Sequence, residues 1–176
     1  MLNEGKNMEL DQKLSHFKVE NLKLVVLDVD GTLTDGGIYI DNNGVESKKF
    51  NIKDGAGIVL AQKYGIEFMI LTGRKSHCVE IRAKELGIKF IEQGISHKEI
   101  FLNDFLLSHK ISPFEVAYIG DDYNDLACMK LVGCKVCPSD AIDVVKEVVD
   151  CVMAHKGGEG AVRDFCDYLI YRKSLT

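Results

Sequence analysis

The stretch Leu22-Lys23-Leu24-Val25-Val26-Leu27-Asp28-Val29-Asp30-Gly31-Thr32 decides the fold. Its first six residues form an almost unbroken apolar run, which predicts a strand covered on both faces, as at the centre of a parallel sheet. The run then breaks into two carboxylates and a glycine turn. The same pattern recurs downstream. Ile66 to Leu71 is apolar and ends in Thr72-Gly73-Arg74, and Val116 to Ile119 ends in Gly120-Asp121-Asp122-Tyr123-Asn124-Asp125. Shorter strands are expected at 89–91, 135–137 and 151–153. Helices are expected over 8–18, 55–64, 76–86, 98–109, 124–132, 141–148 and 160–172, with Gly65, Gly87 and Gly133 as stops. Strands alternating with helices over short links predict an α/β fold, a doubly wound, Rossmann-like parallel sheet. Ligands of such sheets bind beyond the carboxyl ends of the strands.

One segment departs from the alternation. Ile38-Tyr39-Ile40 and Lys48 to Ile52 read as extended, and Asp41-Asn42-Asn43-Gly44 between them supplies a hairpin turn, because Asn-Gly tolerates positive φ. A β-hairpin at about 38–52 is expected to protrude. Its apolar edge would be a hazard in a monomer and is better buried against other chains. The expected organisation is an N-terminal helical extension over 1–20 and a single domain over 21–176 that includes the hairpin.

Composition narrows the partners. Twenty-two Lys and Arg against 27 Asp and Glu leave a formal charge of −5, which argues against a general nucleic-acid binder. Hydrophobic residues at 46% and only two prolines exclude long disorder. No run approaches the roughly 18 apolar residues that span a bilayer, and residues 1–21 lack a signal-peptide pattern, so a cytoplasmic protein without membrane partners is expected. Six cysteines in apolar or helical stretches read as buried or free thiols. Cys134 and Cys137 have redox-motif spacing but sit in a strand pattern with no second ligand pair.

The chemistry gathers at three strand ends. Asp28 and Asp30 flank one residue, so one carboxylate can attack an electrophile while its neighbour moves a proton. The Gly120–Asp125 cluster belongs at the same sheet edge. Facing acidic clusters stay ionised together only around a cation, and an all-oxygen site suits Mg²⁺. Thr72-Gly73 supplies a hydroxyl and backbone N–H groups for a phosphate oxygen. Lys98, opening a helix, offsets phosphoryl charge.

Asp28-Val-Asp-Gly-Thr, Thr72-Gly, Lys98 and Gly120-Asp-Asp-x-x-Asp125 together resemble the four motifs of the haloacid dehalogenase-like phosphatases. The resemblance implies that Asp28 is the nucleophile and Asp30 the general acid and base. It implies that Thr72 and Lys98 hold the phosphoryl group. Asp28, the Asp30 carbonyl and Asp121 would bind Mg²⁺, and Asp125 would orient Lys98 or metal-bound water. Neither gap between motifs is long enough for a cap domain, so a capless enzyme is expected, closed by a large substrate or by another subunit.

A closer resemblance favours another subunit. Thr34-Asp-Gly-Gly-Ile-Tyr, Lys49-Phe-Asn-Ile-Lys-Asp-Gly-Ala-Gly-Ile and Gly157-Gly-Glu-Gly-Ala-Val-Arg163 are similar to the 3-deoxy-D-manno-octulosonate 8-phosphate phosphatases, and to the related nonulosonate 9-phosphate phosphatases. This implies a homotetramer built through the hairpin and a sugar-acid phosphate as substrate. The implied substrate contacts are Asp30, Asn51, Ile52, Lys53, Asp54, Gly55, Gly73, Arg74, Arg82 and Lys98, with Arg163 reaching into a neighbour's site. Arginine suits the substrate's carboxylate because it pairs bidentately. Glu159, lying between Gly158 and Gly160, resembles the nine-carbon enzymes, whereas Arg74 resembles the eight-carbon ones. The Gly157–Gly160 segment reads as a flexible turn before the last helix. A capless macromolecular phosphatase and a non-catalytic assembly module like that fused to some cytidylyltransferases remain the rivals.

Overall fold

Side chains along a strand point alternately to the two faces of a sheet, so a strand with no exposed residue needs cover on both. The computed structural model describes residues 4–175. Residues 1–3 of the expected extension and Thr176 lie outside the described residues. In chain order the elements are α1 (Glu4–Lys13), β1 (Leu24–Leu27), β2 (Tyr39–Ile40), β3 (Glu46–Ser47), α2 (Ile52–Gln62), β4 (Glu67–Thr72), α3 (His77–Glu85), β5 (Phe90–Gln93), α4 (Lys98–His109), β6 (Val116–Ile119), α5 (Leu126–Met129), β7 (Cys134–Cys137), α6 (Asp143–Val148), β8 (Cys151–Val152) and α7 (Ala161–Lys173).

Six strands form one sheet in the order β5-β4-β1-β6-β7-β8, every pair parallel. All four residues of β1 are buried. Val25 and Leu27 face a core shared with Phe165, Tyr168 and Leu169 of α7, while Leu24 and Val26 face Leu102, Phe105 and Met129 on the other side. Burying each such side chain stabilises the fold by about 1.5–3 kcal/mol before entropy is counted. Leu10, Leu14 and Phe17 join the first core, and Arg172 of α7 donates to Asp11 at 2.8 Å. The chain turns to opposite sides of β1 through β4 and β6, so the crevice at their carboxyl ends is the switch point.

Cys134 and Cys137 lie in the cores on opposite faces of the sheet. Burial pushes both thiols up, Cys137 to about 12. The shared strand keeps them from pairing.

The structure corrects several boundaries. The first helix closes at Lys13 rather than running to residue 18, because the chain turns after Leu14 to bury Phe17, whose N–H donates to the Leu14 carbonyl at 2.9 Å. The hairpin pairs Tyr39 with Ser47 and Ile40 with Glu46, so its second strand lies upstream of the expected Lys48–Ile52. Asp41 sets this register: its carboxylate accepts from the amides of Asn43 and Val45, each at 2.8 Å. Ile52 is helical because Asn51 caps α2, its side chain accepting from the Lys53 N–H at 2.8 Å. The helix expected over 124–132 is a 3₁₀ turn at Tyr123–Asp125 followed by the single turn of α5.

Candidate active site

Asp28, Thr72 and the Gly120–Asp125 loop leave the ends of three neighbouring parallel strands, β1, β4 and β6, so the topology alone brings them together. Lys98 arrives from the first turn of α4, and its buried ammonium donates to Asp28 Oδ1 at 2.7 Å and to Asp125 Oδ1 at 2.9 Å. The same Asp125 oxygen accepts from the Tyr118 hydroxyl at 2.7 Å. Its other oxygen accepts from the backbone N–H groups of Asp121 at 3.0 Å and Asp122 at 3.2 Å. Asp125 therefore spends both oxygens on protein donors and fixes where Lys98 sits. Thr32, absent from the expected set, donates its hydroxyl to Asp121 Oδ1 at 3.1 Å.

The turn after β1 depends on Gly31. Its φ is +84°, and a Cβ there would fall 2.0 Å from Asp121 Oδ2. Only glycine permits both that conformation and the approach of the second acidic loop.

Charge is out of balance here. Carboxylate oxygens of Asp28, Asp121 and Asp125 lie within 4.8 Å of one another, with one buried ammonium among them. Burial, then the neighbouring Asp125, raises the Asp28 carboxyl, which the Lys98 charge only partly offsets. Burial and the charges of Asp28 and Asp125 push Asp121 up to about 8. Burial opposes the Lys98 charge, but the two carboxylates it contacts outweigh that and hold the ammonium above its usual range. An oxygen-only donor set with surplus negative charge fits a hard divalent cation such as Mg²⁺.

Beside this cluster lies a cavity of about 200 Å³ lined by Asp28, Asp30, Thr72, Gly73, Arg74 and Asn124. Asp30 forms an ion pair with Lys48, a residue that the sequence reading placed in a hairpin strand and gave no role. Arg74 has its Nε 3.7 Å from Asp30 Oδ2 and its Nη2 2.5 Å from Glu46 Oε2. The only sequence signal for this network is the i, i+2 spacing of Glu46 and Lys48, which puts both on one face of an extended chain.

The other expected substrate contacts do not reach that cavity within one chain. Ile52, Gly55, Arg82 and Arg163 line a second cavity of about 480 Å³ between α2, α3 and α7. Arg82 donates to Glu85 at 2.8 Å, and Arg163 to Asp167 at 2.7 Å. Lys53 is exposed. Asn51 caps α2 and donates to the Gly158 carbonyl at 3.2 Å. Asp54 also lies away from that cavity. It is buried in the α2–α7 contact, where Oδ1 accepts from the Arg163 N–H at 2.7 Å, so it ties helices together. His77 and His97 are exposed and face Glu80 and Glu99 at 3.6 and 3.7 Å.

The glycine turn at 157–160 is also corrected. It is clamped, with the Gly158 N–H donating to the Thr32 carbonyl at 3.0 Å and the Gly157 N–H to Asp140 Oδ1 at 2.9 Å.

Comparison with known proteins identifies the family. The family model described as haloacid dehalogenase-like hydrolase matches residues 88–165. The 3-deoxy-D-manno-octulosonate 8-phosphate phosphatase KdsC of Escherichia coli K12 is 47% identical over 153 residues, 87% of this chain and 81% of that protein. The crystal structure of 3-deoxy-D-manno-octulosonate 8-phosphate phosphatase from Yersinia pestis is 39% identical, with a TM-score of 0.86 over 89% of this chain and 84% of that one. The enzyme of the same name from Moraxella catarrhalis, solved with magnesium ion, phosphate ion and a KDO molecule, is 34% identical, with a TM-score of 0.87 over 93% and 92% of the two chains. Sharing nearly half its residues with a relative over most of both lengths, the chain belongs to the 3-deoxy-D-manno-octulosonate 8-phosphate phosphatase family of haloacid dehalogenase-like hydrolases.

Proposed function

We infer that this chain is a Mg²⁺-dependent phosphomonoesterase that hydrolyses 3-deoxy-D-manno-octulosonate 8-phosphate to the free sugar acid and phosphate. The observation that carries the reading is the Lys98–Asp28 contact of 2.7 Å at the end of β1, in a chain 47% identical to enzymes of that name. Asp28 attacks phosphorus while Asp30 gives its proton to the departing sugar oxygen, leaving an aspartyl-phosphate. Asp30, now ionised, then takes a proton from the water that attacks this intermediate. Lys98 cancels repulsion between the carboxylate and the phosphoryl oxygens, and the Thr72 hydroxyl and Gly73 amide orient those oxygens. Asp28, the Asp30 carbonyl and Asp121 would hold Mg²⁺, which when bound offsets charge on the phosphoryl group. Asp125 acts through Lys98.

A panel of eight-carbon and nine-carbon keto-acid phosphates, assayed with Mg²⁺ and again after chelation, tests the reading. Turnover of the 8-phosphate above the 9-phosphates is expected. Chelation should abolish turnover, and Mg²⁺ should restore it and raise the melting temperature, since a ligand at 100 times its Kd stabilises by about 2.7 kcal/mol. Preference for a 9-phosphate would reassign the substrate, and release of no phosphate from any sugar would restore the non-catalytic rival.

The hairpin supports a homotetramer in which neighbours wall each site. Ile38, Ile40 and Val45 are exposed at 55%, 63% and 58%, an apolar edge that association would bury. Arg82 and Arg163 would then serve an adjoining subunit's substrate. Ile40→Glu should lower the mass seen by light scattering and reduce sugar-phosphate turnover; an unchanged tetramer would move the interface elsewhere. No helix among the described residues is long and apolar enough to cross a membrane. With six free cysteines among the described residues, this supports a cytoplasmic setting.

A further inference from the structure

Lys48 is an unusual lysine. It follows a two-residue hairpin strand, yet its side chain is only 1% exposed. An ammonium taken from water must find partners or cost several kcal/mol. Its partners are Asp30, in direct contact, and Glu46 Oε1, a buried oxygen, at 3.4 Å. The far side of the Asp30 carboxylate faces Arg74 at 3.7 Å. Asp30 has no intrinsic hold on its direction, because it stands beyond the end of β1 at the start of the Gly31 turn. The contact with Lys48 supplies one.

Resting on the phosphatase reading of the site, we propose that Lys48 is the positioning residue for Asp30. It holds Oδ1, so that the carboxyl stays over the phosphoryl cavity for both of its proton transfers, and it ties the hairpin to the catalytic turn. The step it serves is the passage of the Asp30 proton to the sugar oxygen as the P–O bond breaks and the P–O bond to Asp28 forms. A leaving group that needs no proton should be indifferent to this arrangement.

The test compares kcat/KM for the sugar 8-phosphate and for 4-nitrophenyl phosphate, because that ratio reports phosphoryl transfer to the enzyme. Lys48→Met keeps length and removes charge. It should lose about 30-fold or more on the sugar phosphate, through kcat with KM little changed, and no more than about threefold on the nitrophenyl ester, within the usual reach of general acid catalysis. Lys48→Arg should recover part of the loss. In an Asp30→Asn background, where the buried ammonium has lost one of its two carboxylate partners and keeps Glu46, Lys48→Met should cost nothing further, and this pair is read if the single variant does not fold. Equal loss on both substrates, or a further loss in the Asp30→Asn background, overturns the role. A parent enzyme inert on both esters would instead sink the phosphatase reading itself.

Discussion

Asp28→Asn should lose turnover by about 10⁴-fold or more while the protein keeps its fold, because a missing nucleophile cannot be replaced by binding alone. The amide conserves size and leaves Lys98 its second partner, Asp125, at 2.9 Å. It also removes one of three crowded carboxylates. The sign of the stability effect follows from linkage. Asp28 and Asp121 titrate above the usual 3.8 in the folded chain, Asp121 at about 8. Between those limits the folded state holds more protons than the unfolded state, so metal-free stability falls as pH rises from about 4 to 8. Metal-free Asp28→Asn should therefore melt no lower than the parent at pH 8 and show a flatter dependence on pH. Retained turnover would remove Asp28 from the mechanism. A lower melting point at pH 8 would overturn the charge accounting at the site.

The strand ends were legible in the sequence because polar residues after a buried apolar run have few structural uses. Asp28, Thr72 and Asp121 stand out by that contrast, and Lys98 by opening a helix beside them. Residues that serve the site through others carry no such contrast. Tyr118 belongs to a fully buried strand, and nothing in its neighbours announces that its hydroxyl meets Asp125. Lys48 sits among Ser47, Lys49 and Phe50, where one more lysine looks solvated. The hairpin register was illegible for another reason. Two-residue strands have no periodicity to read, and the Asp41 side chain rather than hydrophobic pattern sets the pairing. Gly157 and Gly158 look like flexibility in sequence, because close packing of one backbone on another leaves no mark except the missing side chain.

Gly157→Ala puts that packing to its hardest test. The added Cβ would fall 1.7 Å from the Gly31 carbonyl oxygen, 2.5 Å from its carbon and 3.0 Å from the Thr34 oxygen. All three are backbone atoms, so no rotamer change relieves the overlap. The catalytic turn or the 157–158 segment must retreat by about 1.8 Å to regain an ordinary contact of about 3.5 Å. The second segment is anchored at Asp140 and is tied to the turn itself through the Thr32 carbonyl, so part of the displacement falls on the turn that carries Asp30 and faces Asp121. Overpacking of this kind costs about 1–3 kcal/mol, and a misplacement of about 1 Å at a reacting centre costs about 10²-fold in rate. Gly157→Ala should thus lower both the melting temperature and kcat, the latter by about 100-fold. Gly65→Ala separates packing from torsion. Gly65 also has a positive φ, +79°, but a Cβ there meets nothing within 4 Å. That variant should lose stability, by about 1 kcal/mol, and keep its kcat. If Gly157→Ala behaves like Gly65→Ala, the last loop does not brace the catalytic turn; a kcat loss confined to Gly157→Ala makes that loop part of the machinery that aims Asp30.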